Sequence, residues 1–324
     1  MPPARRIPLI SQPSTVVLGG SLVGVTLEIL VTGGAGFIGS NFVRWLRDNK
    51  PHESVKVFDS LTYAAVGLST LRELSVEVLK GDIRDKVALA SAASKADIIV
   101  HLAAESHNDN SIKDPRLFFD TNLSGTLNVA EVALERGIRL HHVSTDEVFG
   151  DLDIASSEKF NEQSPYRPSS PYSASKAAAD HLVRAFVRTY GLNATISNCS
   201  NNYGPNQHPE KLIPRQISLV KSGHKAQLYG KGKNIRDWIH VDDHSSGLWE
   251  IIQKGEPGQT YLLGANCERS NLDVVKIINS ALGFDETNYE LIKDRPGHDQ
   301  RYAIDASKAM HDLGWKPLKT DFEA

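Results

Sequence analysis

Glu28-Ile29-Leu30-Val31-Thr32-Gly33-Gly34-Ala35-Gly36-Phe37-Ile38-Gly39 is the stretch whose reading decides the fold. Its first five residues suit a short buried strand, and three spaced glycines, Gly33, Gly36 and Gly39, follow at once. Phe37 to Asp48 then has helical spacing, with Phe42, Val43 and Leu46 on the apolar face. A strand, a glycine turn and a helix start converge backbone N–H groups and the positive end of the helix dipole on one point, where a pyrophosphate can sit. Glycine allows the tight turn and the close approach of the phosphate. Asp59 ends the next predicted strand, Val55 to Asp59, twenty residues after Gly39. A carboxylate there accepts from a ribose 2′-hydroxyl and repels a 2′-phosphate, which favours NAD over NADP. The plainer reading of Asp59 is a strand-end residue capping a turn.

The same alternation continues outward. Strands are predicted at Val76 to Leu79, Asp97 to Leu102 and Leu140 to Ser144, with helices between them at Leu68–Leu74, Val87–Ala93 and Thr121–Arg136. The fold class is α/β: a Rossmann-type doubly wound parallel sheet with a smaller, mixed α/β substrate-binding domain. Pro171 to Tyr190 reads as a long helix, opened by Ser169, Ser170 and Pro171 and closed by Gly191. Beyond about Asn201 the pattern loosens, with helices near Ile213–Lys221, Asp242–Gln253 and Leu272–Leu282. The expected division is a leader over 1–26, disordered, then a dinucleotide-binding domain over 27–200 with later strands returning around 229–263. A ligand-binding domain over 201–324 is interleaved with it.

The composition is that of a globular enzyme: 324 residues, 40% hydrophobic and 23% charged. A net charge of −3 supplies no basic field for nucleic acid, so any anionic ligand must be held by local cations. No apolar run reaches the roughly 18 residues of a membrane span. Arg5 and Arg6 before an apolar run loosely suggest a signal peptide, but Gly19, Gly20 and Gly24 interrupt it and it merges into the first strand. The two cysteines, Cys199 and Cys267, fit a reduced cytoplasmic protein better than a disulfide scaffold.

Ser144-Thr145-Asp146-Glu147 and Tyr172-Ser173-Ala174-Ser175-Lys176 carry the chemistry. Tyr172 and Lys176, four residues apart, share a helix face, and an ammonium beside a phenol favours the phenolate. Tyr172 is thus a candidate base for a carbinol proton. Asp146 and Glu147 follow a strand at the sheet edge where open α/β sheets bind ligands. Elsewhere such a pair caps a helix. Here it offers the base for a carbon-bound proton and the acid for a leaving hydroxyl that elimination of water requires.

These motifs resemble the extended short-chain dehydrogenase/reductase superfamily, and within it the dTDP-glucose 4,6-dehydratase family. The likeness runs from about Leu27 to Leu318. It is carried by the glycine loop, Asp59 to Tyr63, Gly81 to Asp85, His101 to His107, Val143 to Gly150, Ser170 to Lys176, Cys199 to Pro205, Pro209 to Pro214, Ile235 to Trp238 and Asp294 to Asp299. It implies a lyase that oxidises a sugar at C4, eliminates water across C5–C6 and reduces C6 on bound NAD, with no net redox change. The product, a dTDP-4-keto-6-deoxyglucose, feeds deoxysugars such as rhamnose. Tyr172 would take the C4 hydroxyl proton with help from Thr145 and Lys176. Glu147 would remove the C5 proton, and Asp146 would protonate the departing C6 hydroxyl. Phe37, Ile38, Asp59, Thr62, Asp82, Ile83, Leu102, Ala104, Thr121 and Asn202 occupy positions matching the cofactor site. Ser106, Asn201, Lys211, Leu212, Tyr229, Arg236, Asn271, Arg295 and His298 match the nucleotide-sugar site. Arg236, Arg295 and Lys211 would be the diphosphate's cations. No metal site, membrane contact or nucleic-acid partner is expected. The resemblance also implies a homodimer through the helix of Tyr172.

The chain departs from the family pattern in three places. Asn108 and Asn110 stand where Val and Arg are usual, which is expected to loosen the loop beside the site. Ala65 and Val66 replace Gly-Asn, which is expected to alter adenosine packing. The sequence stops at Ala324, where relatives add a helix, so apolar surface near Leu313, Trp315 and Phe322 is expected to be exposed. A dehydratase for another nucleotide, a 4-epimerase and a catalytically idle NAD-binding regulator are the competing readings. An epimerase has no need of Asp146 and Glu147, and an idle protein no need of Tyr172 and Lys176.

Overall fold

The computed structural model describes residues 26–294 and 296–322. The expected leader, apart from Thr26, lies outside them. The described strands are β1 (Glu28–Thr32), β2 (Ser54–Asp59), β3 (Glu77–Lys80), β4 (Ile98–His101), β5 (Arg139–Thr145), β6 (Ala194–Cys199), β7 (Asn201–Tyr203), β8 (Ala226–Tyr229), β9 (Ile235–His240), β10 (Thr260–Leu263), β11 (Glu268–Ser270) and β12 (Tyr289–Ile292).

Seven of them form one sheet, all parallel, in the order β10-β6-β5-β4-β1-β2-β3. The chain runs outward from β1 through β2 to β3, then returns to lay β4 on the other side of β1. That reversal opens a crevice at the carboxyl ends of β1 and β4, where doubly wound sheets take their ligands. Successive side chains of β1 serve both faces: Ile29 and Val31 join one core with Phe42, Val43 and Leu46, and Leu30 joins the other with Val129 and Val183. Burial on both faces is why the strands read as continuous apolar runs. Of the stretch expected to return to this sheet, only Thr260–Leu263 does so. β9 instead pairs with β7 and β11. The Val241–Lys254 helix carries the chain across to the free edge of β6, which β10 then fills.

The Pro171–Tyr190 helix has the expected limits: Ser170 and Ser173 form a reciprocal capping box, and Gly191 closes it in the left-handed conformation. The helix expected over 121–136 begins instead as a π-helical turn, Asp120–Gly125, and is α-helical only over Thr126–Arg136. Asn122 explains the bulge. Its amide accepts from the Glu105 N–H at 2.8 Å and donates to the Glu105 carbonyl and the Ser175 hydroxyl, both at 2.9 Å.

The expected apolar exposure near the C-terminus is found at Met310 and Leu318 but not at Leu313 or Trp315. Leu313 and Trp315 are buried in the main core. The Trp315 indole donates to Ser246, and Asp243 accepts the backbone N–H groups of Leu318 and Lys319. Phe322 packs on Tyr203 and Trp238. Cys199 and Cys267 are buried free thiols. Among the described residues no helix is long and apolar enough to cross a membrane.

Candidate active site

Every residue expected to hold the cofactor lines a single cleft over the crevice between β1 and β4. The glycine loop is shaped by its lack of side chains. A Cβ on Gly33, whose φ is +71°, would lie 2.5 Å from the Ala103 nitrogen, and one on Gly39 would lie 2.3 Å from the Gly33 oxygen. Gly36 has room on the cleft side, and its position before Phe37 carries no side-chain cap, so the first-turn donors are left for a ligand. Asp59 is buried at the end of β2. It accepts the N–H of Ala35 at 2.9 Å and of Leu61 at 2.8 Å, which tie it to the loop. Thr62, Asp82, Ile83, Leu102, Ala104, Thr121 and Asn202 complete the walls, and Ala65 lines the cleft too. The donor loop, the fixed carboxylate and the apolar walls fit a dinucleotide with a free ribose 2′-hydroxyl.

The carboxyl end of β5 delivers the reactive groups. Thr145 caps a single 3-10 turn, Asp146–Phe149, by accepting the Glu147 N–H at 3.3 Å, and its hydroxyl donates to Asp146 at 3.2 Å. The second carboxylate oxygen of Asp146 is buried without a hydrogen-bond partner. Burial pushes the Asp146 carboxyl well above the usual carboxylate range, and the charges of Glu147 and Asp237 push it further. These causes favour the protonated form of Asp146, the form a proton donor needs. Glu147 is partly exposed and faces both this cleft and a second cavity.

Tyr172 and Lys176 reach the same place from the first turns of the Pro171–Tyr190 helix. Lys176 is buried and donates to the Val143 carbonyl at 2.9 Å. Burial lowers its ammonium, and Asp180 one turn further opposes this. The expected lowering of Tyr172 by Lys176 is not found. Burial raises the phenol well above its usual range, the charge of Glu147 adds to this, and side-chain hydrogen bonding with Thr145 opposes it. The Lys176 ammonium does not offset that burial.

The second cavity adjoins the first, sharing Glu147, Asn201 and Lys211. Leu212, Tyr229, Arg236, Asn271 and His298 line it, and Ser106 lines the first. Arg295 lies outside the described residues. Arg236 is buried, donates to the carbonyls of Ile235 and Asp299, and stacks on Tyr302 with its guanidinium 4.2 Å from the ring centre. Sequence reasoning missed three supporting residues. Asn198 donates to the Thr145 carbonyl at 3.0 Å and to Asp180 at 3.1 Å. Asp180 also receives the Tyr166 hydroxyl at 2.8 Å, and its spacing from Tyr172 and Lys176 on one helix face was the available signal. Tyr302 had no such signal. Loosening at the two unusual asparagines is not found: Asn110 donates to the Tyr63 hydroxyl at 3.2 Å, and Asn108 donates to Glu147 at 2.8 Å.

Comparison with known proteins agrees with this geometry. The family model for GDP-mannose 4,6 dehydratase matches residues 30–324. A dTDP-glucose 4,6-dehydratase of Mycolicibacterium smegmatis is 52% identical, with 92% of this chain and 90% of that protein covered. One from Escherichia coli is 48% identical, over 91% and 90%. The crystal structure of the Streptomyces venezuelae dTDP-glucose 4,6-dehydratase, solved with NAD bound, superposes with a TM-score of 0.86 at 44% identity, over 90% of this chain and 92% of that one.

Proposed function

This chain belongs to the GDP-mannose 4,6 dehydratase family of extended short-chain dehydrogenases/reductases, and from that premise we infer that it converts dTDP-glucose to dTDP-4-keto-6-deoxyglucose and water on bound NAD. The observation that carries the reading is the pairing of Asp146, buried with a raised proton affinity, with Glu147, partly exposed and facing both cavities. An aligned acid and base are what elimination needs and simple hydride transfer does not.

Phe37, Ile38, Asp59, Thr62, Asp82, Ile83, Leu102, Ala104, Thr121, Asn202 and Lys176 hold the dinucleotide in this reading. Bound NAD supplies the acceptor for hydride from sugar C4, the donor that returns it to C6, and a positive ring that counters the burial of Tyr172. Tyr172 takes the C4 hydroxyl proton, and Thr145 donates a hydrogen bond to the same oxygen. The 4-ketone acidifies C5–H, and the Glu147 carboxylate accepts that proton and returns one to C5 when hydride reaches C6. Asp146 gives its proton to the C6 hydroxyl, which leaves as water. Its buried, unpaired oxygen and raised proton affinity suit that donation. Lys211 and Arg236, with Arg295, serve the diphosphate, and Tyr229, Asn271, His298, Leu212, Asn201 and Ser106 shape the sugar and base site. The proposed division gives residues 27–200 to the cofactor and 201–324 to the nucleotide-sugar, interleaved through β10. We also propose a homodimer through the Tyr172 helix and its neighbours, where Ile112 and Phe119 are exposed.

The test is mass spectrometry of dTDP-glucose after incubation with purified protein and no added NAD. Loss of one water is expected. An unchanged substrate after NAD is added, with turnover of a UDP- or GDP-sugar instead, would reassign the nucleotide.

A further inference from the structure

Asn108 sits where three separate parts of the chain meet. Its amide nitrogen donates to the Glu147 carboxylate at 2.8 Å, and its amide oxygen accepts the Ser170 hydroxyl at 2.8 Å. The orientation of the amide is fixed by chemistry. A carboxylate only accepts, so the NH2 must face Glu147, and reversing the amide would set its oxygen against that carboxylate. Ser170 is the N-cap of the helix that carries Tyr172 two residues later, and its hydroxyl also accepts the Ser173 N–H at 3.1 Å. Asn108 itself starts the short helix Asn108–Lys113, and the Ser111 hydroxyl donates to its carbonyl at 2.7 Å. Its own backbone is therefore anchored.

We propose that Asn108 is a positioning residue that fixes the proton acceptor for C5, Glu147, relative to the proton acceptor for C4, Tyr172. The proposal rests on the dehydratase reading of Glu147. The Glu147 backbone is held by the Thr145 hydroxyl and the Gly150 N–H, but its side chain is partly exposed and borders both cavities. Without a partner such a side chain samples several rotamers, and only one presents an oxygen to C5. A single amide joined to both the carboxylate and the N-cap transmits the position of the Tyr172 helix to Glu147. A valine at this position would make neither bond, so both depend on the Asn108 amide.

The experiment compares Asn108→Val, Asn108→Asp and Glu147→Gln as purified holoenzymes. Three readouts are taken: kcat and KM for dTDP-glucose, absorbance of reduced nicotinamide during turnover, and solvent deuterium entering C5. Valine is close to asparagine in size, and the Ser170 hydroxyl keeps its bond from the Ser173 N–H, so Asn108→Val is expected to fold with an unchanged melting temperature. Its kcat should fall about tenfold, the rate equivalent of one hydrogen bond to a charged group, with KM within about twofold. Reduced nicotinamide should accumulate, because oxidation at C4 precedes the defect. Asn108→Asp keeps the acceptor for Ser170 but sets a carboxylate against Glu147, and should fall further. Both variants should slow deuterium entry in proportion to kcat. Unchanged kcat and no accumulation in Asn108→Val, while Glu147→Gln stalls, would overturn the positioning role alone. Full dehydration by Glu147→Gln would instead overturn the assignment of Glu147 on which it rests.

Discussion

The middle of β5 and its carboxyl end are one strand with opposite polar chemistry. In the middle, His141 has partners on both ring nitrogens, Thr195 at 2.9 Å and Ser197 at 3.0 Å. His142 beside it meets Asp180 at 3.1 Å. Four residues on, Asp146 is as deeply buried, yet one of its carboxylate oxygens has no partner. Burying a polar group without a partner costs stability, and such groups persist where they have chemistry to perform. His142 Nδ1 and the Ser144 hydroxyl also lack partners, so what sets Asp146 apart is that its open oxygen belongs to a carboxyl lining the cleft.

Neutralising the open end should affect rate and not stability. Asp146→Asn removes the proton donor and is expected to lower kcat by roughly a hundredfold to a thousandfold. The folded protein should be no less stable, since a carboxyl with raised proton affinity is a burden on the fold at neutral pH. A variant that keeps its rate, or loses its melting temperature, would erase the contrast between the two ends.

The satisfied region should show the reverse. Asp180 collects donors from His142, Tyr166 and Asn198, and these together with Lys176 hold its carboxyl below the usual range, against its burial. Asp180→Leu strips those donors of their acceptor and leaves the Lys176 ammonium uncompensated, at a cost of about 3 kcal/mol in chemical denaturation. Its rate should fall less than that of Asp146→Asn, through Asn198, which also holds the Thr145 carbonyl.

Much of this division was legible in advance, and the limit is physical. Val31 and Val57 lie on strands buried on both faces, so their apolar runs announce a parallel sheet. Ser170, Pro171 and Gly191 bracket their helix through bonds made within a few residues. Thr145, Asp146 and Glu147 were legible because they follow a strand directly. Asn108 and Asn122 were not, because their partners lie 39, 62, 17 and 53 residues away. Asn108 accordingly reads as a defect in the sequence and acts as a brace in the fold. Tyr172 shows the same limit: spacing reveals the Lys176 neighbour but not the burial that outweighs it.

Acid tests the satisfied region more gently. Burial first, and the Lys176 charge second, hold His142 down to about 4 from an ordinary 6.5. Between those values the unfolded chain binds the proton and the folded chain does not. Stability present above pH 6.5 is therefore lost as pH falls toward 4, by up to about 1.4 kcal/mol per pH unit for each such histidine. Burial depresses His101, His141 and His244 in the same sense. Denaturant midpoints that stay flat from pH 6.5 to 4 would show these rings to be solvated.

The smallest effect is expected at the cofactor end of the sheet, where Asp59 does two jobs at once. Its carboxylate accepts from Ala35 and Leu61, and the remaining acceptor capacity faces the cleft. Asp59→Asn keeps the shape but can accept with one atom only, so one loop N–H loses its partner while the charge that repels a 2′-phosphate disappears. Retention of NAD through gel filtration should weaken, with affinity falling about tenfold, and the preference over NADP should narrow. The two jobs separate on addition of each cofactor to the emptied variant. If only loop order were lost, NAD and NADP would weaken by the same factor. If the ribose contact matters, NAD weakens and NADP does not. Equal weakening would place Asp59 with His141, among residues that hold the fold, and not with Asp146.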